Sequence, residues 1–488
     1  MDGKRIGLAV VVLTGGLFAS PLQSAAPANA GTDQPNVVLI LVDDARVDDL
    51  TTLPKIVQQV GAAGATFNGT ISSFPLCCPA RASLLTGQYP HNHHVLGNTA
   101  PLGGWSKFND ADTLATWLDP AYETGLVGKY FNQYQAPYIP PGWDYWATPR
   151  ATYNYRFATW SINGANVTLP GYQTDTMGDL AADFITAHTG GVEPFFLYTS
   201  IVAPHSGNPA EADDPAMPTP NVANIYRDTF AGMMNTNAAF NEADVSDKPI
   251  RPAPLTSAEI AAETEVNAQR RESLLSVQDV VSKIIDTLAA TGELDNTYVW
   301  FISDNGYLLG EHRIRSGKVA PYEVSARVPM LLRGPGIAAG TVVNQPTALI
   351  DFAPTVLAMT AREAAQGPYP MDGVNLLPLI SDPATSATRP ILIEAGPKSP
   401  TAADTDPYQY HGIVATLGDT EWKYVVRSTG RKELYDLASD PAELTNLAGL
   451  SLYANAQATM DAMLKQFQWC AGTMCAGTVA AKRGTAES

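Results

Sequence analysis

Short apolar segments alternate with longer amphipathic segments along most of the chain, a pattern typical of an α/β protein with a mainly parallel sheet. Continuous apolar runs predict buried strands at residues 36–42, 124–127, 194–201, 298–303 and 328–332. Helices are predicted at 174–188 and 256–291. The second helix opens with the capping-box pair Thr256 and Glu259 and ends at Gly292. We therefore expect one large central sheet as the frame of the protein.

Two long stretches depart from this pattern. Residues 206–256 are rich in proline and aspartate and are too long for an ordinary connection, so they are either a functional rim or a mobile insertion. From about residue 381 the chain changes to short strand-like pieces, such as 412–415 and 422–426, followed by turns and a last helix. We predict a main domain at 31–380 and a smaller C-terminal α+β domain at 381–488.

Residues 1–30 have the pattern of a secretory signal. Lys4 and Arg5 supply a basic start, residues 6–19 are apolar, and Ala-Asn-Ala at 28–30 forms an A-x-A cleavage site. The alternative is an uncleaved anchor, but the apolar run is shorter than the ~20 residues that a membrane span needs. We therefore expect an exported protein, secreted or periplasmic, with no membrane span after signal cleavage.

Composition narrows the possible partners. Among 488 residues, 30 are Lys or Arg and 48 are Asp or Glu, a formal charge of −18, so no broad basic face is available for nucleic acid. The four cysteines are too few for a disulfide framework. In an oxidising compartment Cys470 and Cys475 could pair; the alternative is two unpaired thiols.

Four predicted strands are followed at once by polar side chains. In open α/β sheets, ligands bind outside the carboxyl ends of the strands. Any one such residue is explained equally well as a turn former or helix cap, but four separate strand ends together favour a binding site. The residues are Asp43 and Asp44, Lys129, His205, and Asp304 with Asn305.

The ligand chemistry of these residues favours a hard cation. Three carboxylates and one amide oxygen suit Ca²⁺ or Mg²⁺ better than Zn²⁺. A zinc hydrolase is the natural competitor, but the sequence contains no H-E-x-x-H, and His91, His93 and His94 have no carboxylate motif beside them. The G-x-S-x-G elbow and the phosphate-binding glycine loops are also missing.

The segment LCCPARASLLTG at 76–87 is the remaining unusual feature. Two adjacent cysteines, a proline and an arginine precede a helix-like run that ends in glycine. This order places Cys77 at a helix N-terminus, where the dipole and free N–H groups favour an anion. A buried cysteine pair or a vicinal disulfide is the structural alternative.

The chain resembles the type I sulfatases of the alkaline-phosphatase superfamily over about residues 36–447. The resemblance rests on C-x-P-x-R at 77–81 with L-L-T-G at 84–87, and on further motifs in the same order. These are V-D-D at 42–44, G-K-Y at 128–130, A-P-H at 203–205, S-D-N-G at 303–306, G-K at 317–318, D-F-A-P-T at 351–355 and E-L-Y-D-L at 433–437. The double cysteine and residues 128–132 look most like the N-acetylglucosamine-6-sulfatase and arylsulfatase subgroup.

The resemblance implies an alkaline-phosphatase-like α/β/α sandwich with a large, mostly parallel sheet, plus a smaller C-terminal domain with an antiparallel sheet. It implies a sulfuric ester hydrolase that releases sulfate from a sulfated sugar, of the N-acetylglucosamine 6-sulfate type or from a glycosaminoglycan, or from an aryl sulfate. One alternative is a phosphonate monoester or phosphodiester hydrolase of the same superfamily. Another is a calcium-dependent glycan-binding protein in which Cys77 stays unmodified.

The resemblance also implies roles for individual residues. A formylglycine-generating enzyme would convert Cys77 to Cα-formylglycine before folding is complete. The modified residue would share one Ca²⁺ with Asp43, Asp44, Asp304 and Asn305. Arg81 would hold the aldehyde hydrate, whose hydroxyl attacks sulfur. The remaining catalytic residues would bind the sulfate and assist the leaving oxygen, and they are Lys129, His205 and Lys318.

Two positions depart from the family pattern. Ala80 stands where C-x-P-S-R has its common serine. Many members carry a histidine two or three residues after the lysine, whereas Phe131 and Asn132 occupy those positions here. General-acid catalysis is therefore expected to depend on His205 and Lys318.

Overall fold

The fold is taken from a computed structural model of the protein, which describes residues 34–384, 389–396 and 408–477. The predicted secretory signal at 1–30 lies outside these residues. The strands in chain order are β1 (Asn36–Val42), β2 (Ala65–Phe67), β3 (Thr70–Ile71), β4 (Glu123–Gly128), β5 (Tyr145–Pro149), β6 (Thr159–Ile162), β7 (Ala165–Thr168), β8 (Phe195–Ile201), β9 (Thr297–Ser303), β10 (Met330–Arg333), β11 (Thr341–Val343), β12 (Thr347–Ala348), β13 (Ile391–Ala395), β14 (Tyr410–Leu417), β15 (Thr420–Arg427) and β16 (Lys432–Asp436).

Ten of these strands form one sheet in the order β11-β2-β10-β9-β1-β8-β4-β5-β6-β7. Its centre, β9-β1-β8-β4-β5, is parallel, and antiparallel pairing is found towards both edges. Val42 at the end of β1 pairs with Ile201 on one side and Ser303 on the other. The carboxyl ends of the central strands are therefore level with one another.

Helices cover both faces of this sheet. The helices are α1 (Pro54–Ile56), α2 (Cys77–Thr86), α3 (Pro90–His93), α4 (Leu114–Leu118), α5 (Gln173–His188), α6 (Ser257–Thr291), α7 (Glu323–Ala326), α8 (Phe352–Met359), α9 (Leu377–Ser381) and α10 (Ala454–Phe467).

Strand β1 shows why the sheet needs two covering layers. Every residue of β1 is buried, and alternate side chains enter two different cores. Residues from α2, α4 and α8 fill one core, and residues from α5 and α6 fill the other. The predicted α/β/α sandwich with a mostly parallel central sheet is confirmed.

The C-terminal part is an antiparallel sheet in the order β13-β14-β15-β16, with α10 contributing to the same core. This core also includes Ile71, Phe74 and Tyr322 from the main part of the chain, so the two parts are packed together. Cys470 and Cys475 form a disulfide. The predicted antiparallel sheet is confirmed, and of the two alternatives for Cys470 and Cys475 the structure has the disulfide. The division into domains at residue 381 stays a prediction.

Both predicted helices agree closely with the structure, as α5 and α6. The predicted ends of α6 are also found, because Thr256 caps it in a capping box with Glu259 and Gly292 ends it in a left-handed conformation. The strand expected at 328–332 begins only at Met330, just after Pro329, which cannot donate to a sheet ladder.

Residues 206–256 contain no helix or strand among the described residues, yet they are tied to the rest of the chain. Asn241 donates through its backbone N–H to Gly310, and the buried Lys248 donates to the carbonyl oxygen of Leu444, 2.7 Å away. These contacts favour a rim over a mobile insertion.

No helix in the described part of the chain is both long and apolar enough to cross a bilayer.

Candidate active site

The turns after β1 and β9 bring three carboxylates together. Asp44 has a positive φ of 76°, which is uncommon for a residue other than glycine. Its backbone N–H donates to Oδ1 of Asp304, 3.2 Å away, and the next N–H, of Ala45, donates to Ser303 Oγ at 2.9 Å. These bonds join the two strand ends and fix the turn.

Carboxylate oxygens of Asp43, Asp44 and Asp304 lie within 4.8 Å of one another, and all three residues are fully buried. The Nδ2 group of Asn305 donates to Asp44 Oδ1 at 2.6 Å and to the Gly306 carbonyl oxygen at 2.8 Å. Its Oδ1 is buried and has no hydrogen-bond partner among the described residues. An unpaired amide oxygen beside three carboxylates is the donor set that a hard divalent cation requires.

Cys77 is the first residue of α2 and is completely buried beside this cluster. Its Sγ lies 3.4 Å from Asp43 Oδ1 and accepts from Lys318 Nζ at 3.0 Å. Burial and the neighbouring Asp43 raise the pKa of the Cys77 thiol, which disfavours a reactive thiolate. Cys77 and Cys78 are both free thiols, so the vicinal disulfide alternative is excluded.

Three cations surround the carboxylates. Arg81, one turn into α2, donates through Nε to Asp304 Oδ2 at 3.0 Å and through Nη1 to Ser200 Oγ at 2.6 Å. Lys129 forms an ion pair with Asp43, and Lys318 forms one with Asp44. Burial alone would raise the pKa of Asp43, but these cations, Lys129 first, hold it well below its usual range. Burial and Asp43 raise the pKa of Asp304 to about 6.

A glycine allows Lys129 to reach this position. Gly128 has a φ of 111°, and a Cβ atom there would lie 2.1 Å from the carbonyl oxygen of Ser200. The close approach of β4 to β8 lets the Lys129 N–H donate to the same carbonyl at 2.8 Å. The G-K pair is therefore required by the backbone as well as by the charge.

His205 completes the predicted set. Its Nδ1 lies 2.7 Å from the carbonyl oxygen of Ser206 and so carries the hydrogen, which leaves Nε2 with a free lone pair, 4.0 Å from Asp44 Oδ2. Burial lowers the pKa of His205, although Asp43 and Asp44 oppose the shift. The neutral ring can accept a proton at Nε2. All predicted catalytic and metal-ligating residues thus meet at one place.

Sequence reasoning missed Arg270, which comes from the middle of α6 and is buried. It donates to the carbonyl oxygen of Asp44 and, at 3.3 Å, to that of Pro204, the residue before His205. Its guanidinium lies 4.2 Å from the centre of the Tyr307 ring. One side chain therefore holds the backbone of two site segments.

Next to Lys129 is a cavity of about 460 Å³. Its wall is formed by the loop after β4 and the loop between β5 and β6, with Asn132, Arg150 and Tyr153 among the lining residues. Its size lies within the usual range for a small-molecule site. An anionic group held by the cations would leave the remainder of a substrate in this cavity.

The fold and site together define a hydrolase of the alkaline-phosphatase-like class, with its carboxylates and cations gathered at the carboxyl end of the sheet. A family model described as Sulfatase matches residues 35–361, and one described as N-sulphoglucosamine sulphohydrolase, C-terminal, matches residues 310–469. The chain belongs to the sulfatase family and is a sulfuric ester hydrolase.

Individual relatives span most of the chain. Human N-acetylglucosamine-6-sulfatase is 32% identical, covering 91% of this chain and 86% of the human protein. An arylsulfatase of Volvox carteri is 31% identical, covering 93% and 77% respectively. An extracellular sulfatase homologue of Drosophila melanogaster is 33% identical but covers 71% of this chain and 31% of its own length.

One solved structure shares the fold with a TM-score of 0.70 and 21% identity, covering 89% of this chain and 97% of its own. Its description states a complex with its substrate, D-glucosamine-2-N,6-O-disulfate.

Proposed function

We propose that this sulfatase is an exported enzyme that matures by conversion of Cys77 to Cα-formylglycine, holds one Ca²⁺ and releases sulfate from 6-sulfated N-acetylglucosamine or a related sulfated sugar. The observation that carries the proposal is the position of Cys77 Sγ, in contact with both Asp43 and Lys318. The nucleophile position therefore borders the carboxylate cluster and a sulfate-binding cation at once.

The donor set supports calcium. Asp43, Asp44, Asp304 and the unpaired Oδ1 of Asn305 are all oxygen ligands, and zinc sites are usually built from sulfur and nitrogen. We assign these four residues, with residue 77, to the metal. When present, the ion would supply positive charge against the sulfate oxygens, and the aldehyde hydrate would supply the hydroxyl that attacks sulfur.

The side chains of this chain provide the remaining steps. Lys129 and Lys318 bind sulfate oxygens as fixed cations, and burial next to Asp43 and Asp44 keeps them there. Arg81 holds the first turn of α2, which begins at residue 77, through its hydrogen bonds to Asp304 and Ser200. Lys318 Nζ, a donor already in contact with residue 77, is suited to protonate a leaving oxygen. His205 can accept a proton at Nε2 when the intermediate breaks down.

Two observations support a sugar substrate. The cavity beside Lys129 has room for a sugar ring and is lined by polar groups such as Asn132, Gln133 and Arg150. The relatives include a protein named N-acetylglucosamine-6-sulfatase and a solved complex with a 6-O-sulfated glucosamine. We therefore favour a 6-O-sulfated amino sugar over an aryl sulfate.

Export is supported by the basic, apolar and A-x-A segments of residues 1–30 and by the relative named as an extracellular sulfatase. Maturation by a formylglycine-generating enzyme would accompany export.

The first test concerns residue 77. The protein is co-expressed with a formylglycine-generating enzyme and purified in active form. Mass spectrometry of a peptide that contains residue 77 should then show the thiol sulfur replaced by an aldehyde oxygen. Cys77→Ala should keep the melting temperature and lose sulfate release. An intact thiol in fully active protein would contradict the nucleophile assignment.

The second test concerns the substrate. Sulfate release should be fastest from N-acetylglucosamine 6-sulfate within a panel that includes the 3-sulfate isomer, 4-nitrophenyl sulfate and a phenylphosphonate monoester. Faster turnover of the phosphonate would favour the alternative activity. Faster turnover of the 3-sulfate would exclude the proposed position on the sugar.

A further inference from the structure

Tyr153 lies in the loop between β5 and β6 and contacts two catalytic side chains. Its ring lies 4.7 Å from the ring of His205, and Lys129 Nζ lies 5.0 Å from its centre. It also lines the cavity that begins at Lys129. The residue therefore borders both the cations that bind sulfate and the space for the remainder of a substrate.

The hydrogen bonds of the Tyr153 hydroxyl leave its proton free. The oxygen accepts a hydrogen bond from Asn132 Nδ2 at 2.9 Å. The Lys129 ammonium, which can only donate, lies on the same ring, with Nζ 5.0 Å from its centre. Among the described residues the hydroxyl donates to no acceptor. A hydroxyl whose oxygen already accepts from a neighbouring donor, and which donates to none of these residues, has its own hydrogen available for an acceptor in the cavity.

Asn132 is held rigidly enough to orient the hydroxyl. Its backbone N–H lies 3.2 Å from Sγ of Cys78, and the Cys78 thiol lies 3.4 Å from Asn132 Oδ1. Cys78 is itself completely buried in α2, directly after Cys77. The second cysteine of the C-C-P motif thus fixes Asn132, and Asn132 fixes Tyr153.

We infer that the Tyr153 hydroxyl donates a hydrogen bond to the ester oxygen that leaves from sulfur, an inference that rests on the proposed function of this site. Negative charge develops on that oxygen as the S–O bond breaks, and a pre-oriented donor beside it lowers the barrier. Tyr153 keeps its proton; the proton that completes the product alcohol comes from a general acid such as Lys318. Tyr153 then occupies the role left open by Phe131 and Asn132, where many sulfatases carry a histidine.

The environment of Tyr153 keeps it a donor. Burial raises the pKa of the phenol, and the nearby Lys129 only partly offsets this rise. The hydroxyl is therefore protonated at neutral pH.

Tyr153→Phe tests the inference because it removes the hydroxyl and keeps the ring against His205. Sulfate release is measured with N-acetylglucosamine 6-sulfate, phenyl sulfate and 4-nitrophenyl sulfate, whose leaving groups become progressively better. We expect kcat on the sugar sulfate to fall about 100-fold, as for loss of one donor to a developing oxyanion. The loss on 4-nitrophenyl sulfate should be under about tenfold, because a stabilised leaving group depends less on the donor.

Tyr122→Phe is the matched control. The Tyr122 hydroxyl donates to the Pro35 carbonyl oxygen at the opposite end of β4, so this variant should keep wild-type kinetics. Asn132→Ala provides a second variant should Tyr153→Phe fold poorly, and it should give the same dependence on leaving group with a smaller amplitude.

An equal loss on all three esters, or no loss, would overturn the inference, since a purely structural role gives no dependence on leaving group. Failure of the wild-type protein to release sulfate from any of them would instead contradict the proposed function.

Discussion

Arg270, a buried residue of α6, donates to the carbonyl oxygen of Asp44 in the turn after β1. Asp44 has the left-handed φ of 76° that few residues other than glycine adopt. Its carbonyl is bound by Arg270 and its N–H by Asp304, so the surroundings of the turn offset its strain. The orientation of the Asp44 carboxylate therefore depends on a helix residue that does not itself enter the carboxylate cluster.

Arg270→Met should weaken calcium binding about 10- to 100-fold, the usual effect of losing a group that orients a metal ligand. Isothermal titration calorimetry with Ca²⁺ on the chelator-treated full-length protein measures this directly, apart from activity.

Arg271→Met is the control for this measurement. Arg271 is the next residue of the same helix and is also buried, but it bonds to Asp48 and Thr51, outside the carboxylate cluster. The Arg271→Met protein should be less stable than the wild type and keep the wild-type calcium affinity. Equal affinities for the two variants would show that Arg270 contributes only to packing.

Removal of the metal should abolish sulfate release and lower the melting temperature, because three buried carboxylates lose their largest counter-charge. Added Ca²⁺ should restore both.

Asn305→Leu should weaken calcium binding at least tenfold, since the buried Oδ1 of Asn305 has no other partner in the described structure. An Asn305→Leu protein with unchanged calcium affinity would remove Asn305 from the ligand set.

The Cys470–Cys475 bridge should contribute about 2 kcal/mol to the free energy of unfolding, as loop-closure entropy predicts for so short a loop. The loop is docked on the main part of the chain, since the Gly472 N–H donates to Asp372 Oδ1 at 2.6 Å. Replacement of both cysteines by serine, followed by urea denaturation, measures the loss. A change of less than about 0.5 kcal/mol would mean that docking alone fixes the loop.

His91 should make stability depend on pH. Nδ1 of His91 lies 2.6 Å from Glu394 and Nε2 lies 2.8 Å from the carbonyl oxygen of Cys470, so the protonated ring has a partner at each nitrogen. Burial opposes protonation, but Glu394 raises the pKa of His91 above its usual 6.5. Because the folded-state pKa is raised, this stabilisation is complete below pH 6.5 and is lost as pH rises through the folded-state pKa.

The loss of stability in His91→Gln should therefore be larger at pH 5.5 than at pH 8.5 when measured by urea denaturation. In a Glu394→Gln background, the His91→Gln substitution should cost the same stability at both pH values. His411 Nδ1 lies 3.9 Å from the same Glu394 oxygen. A difference between the two pH values that persists without Glu394 would assign the pH dependence to another group.

The candidate site could be predicted from the sequence where it follows parallel strands. Asp43, Lys129, His205 and Asp304 each follow a buried run, and the aligned register of β1, β8 and β9 brings such positions together whatever the surrounding loops do. Lys318 follows no strand and was assigned only by resemblance.

Arg270 and Tyr153 were missed for different physical reasons. Arg270 lies on the apolar stripe of α6 with Val266, Leu274 and Val277, and a charge on a buried stripe was a signal that could have been used. Tyr153 gave no such signal, because its position depends on how the loop between β5 and β6 folds against Asn132. The strands β6 and β7 were also missed, since β6 buries only its two central residues and β7 is mostly exposed, so neither shows an apolar run or a regular alternation.

The complete burial of Cys77 at the start of α2 has a consequence for biosynthesis. Under the proposed maturation, a modifying enzyme would reach this side chain only while the N-terminal strands are still unpaired, because β8 and β9, which close the sheet around β1, are synthesised more than a hundred residues later. Folding and maturation would then compete in time for the same nascent chain. The specific activity of a preparation would record how many molecules were modified before they closed, and slower folding would raise it.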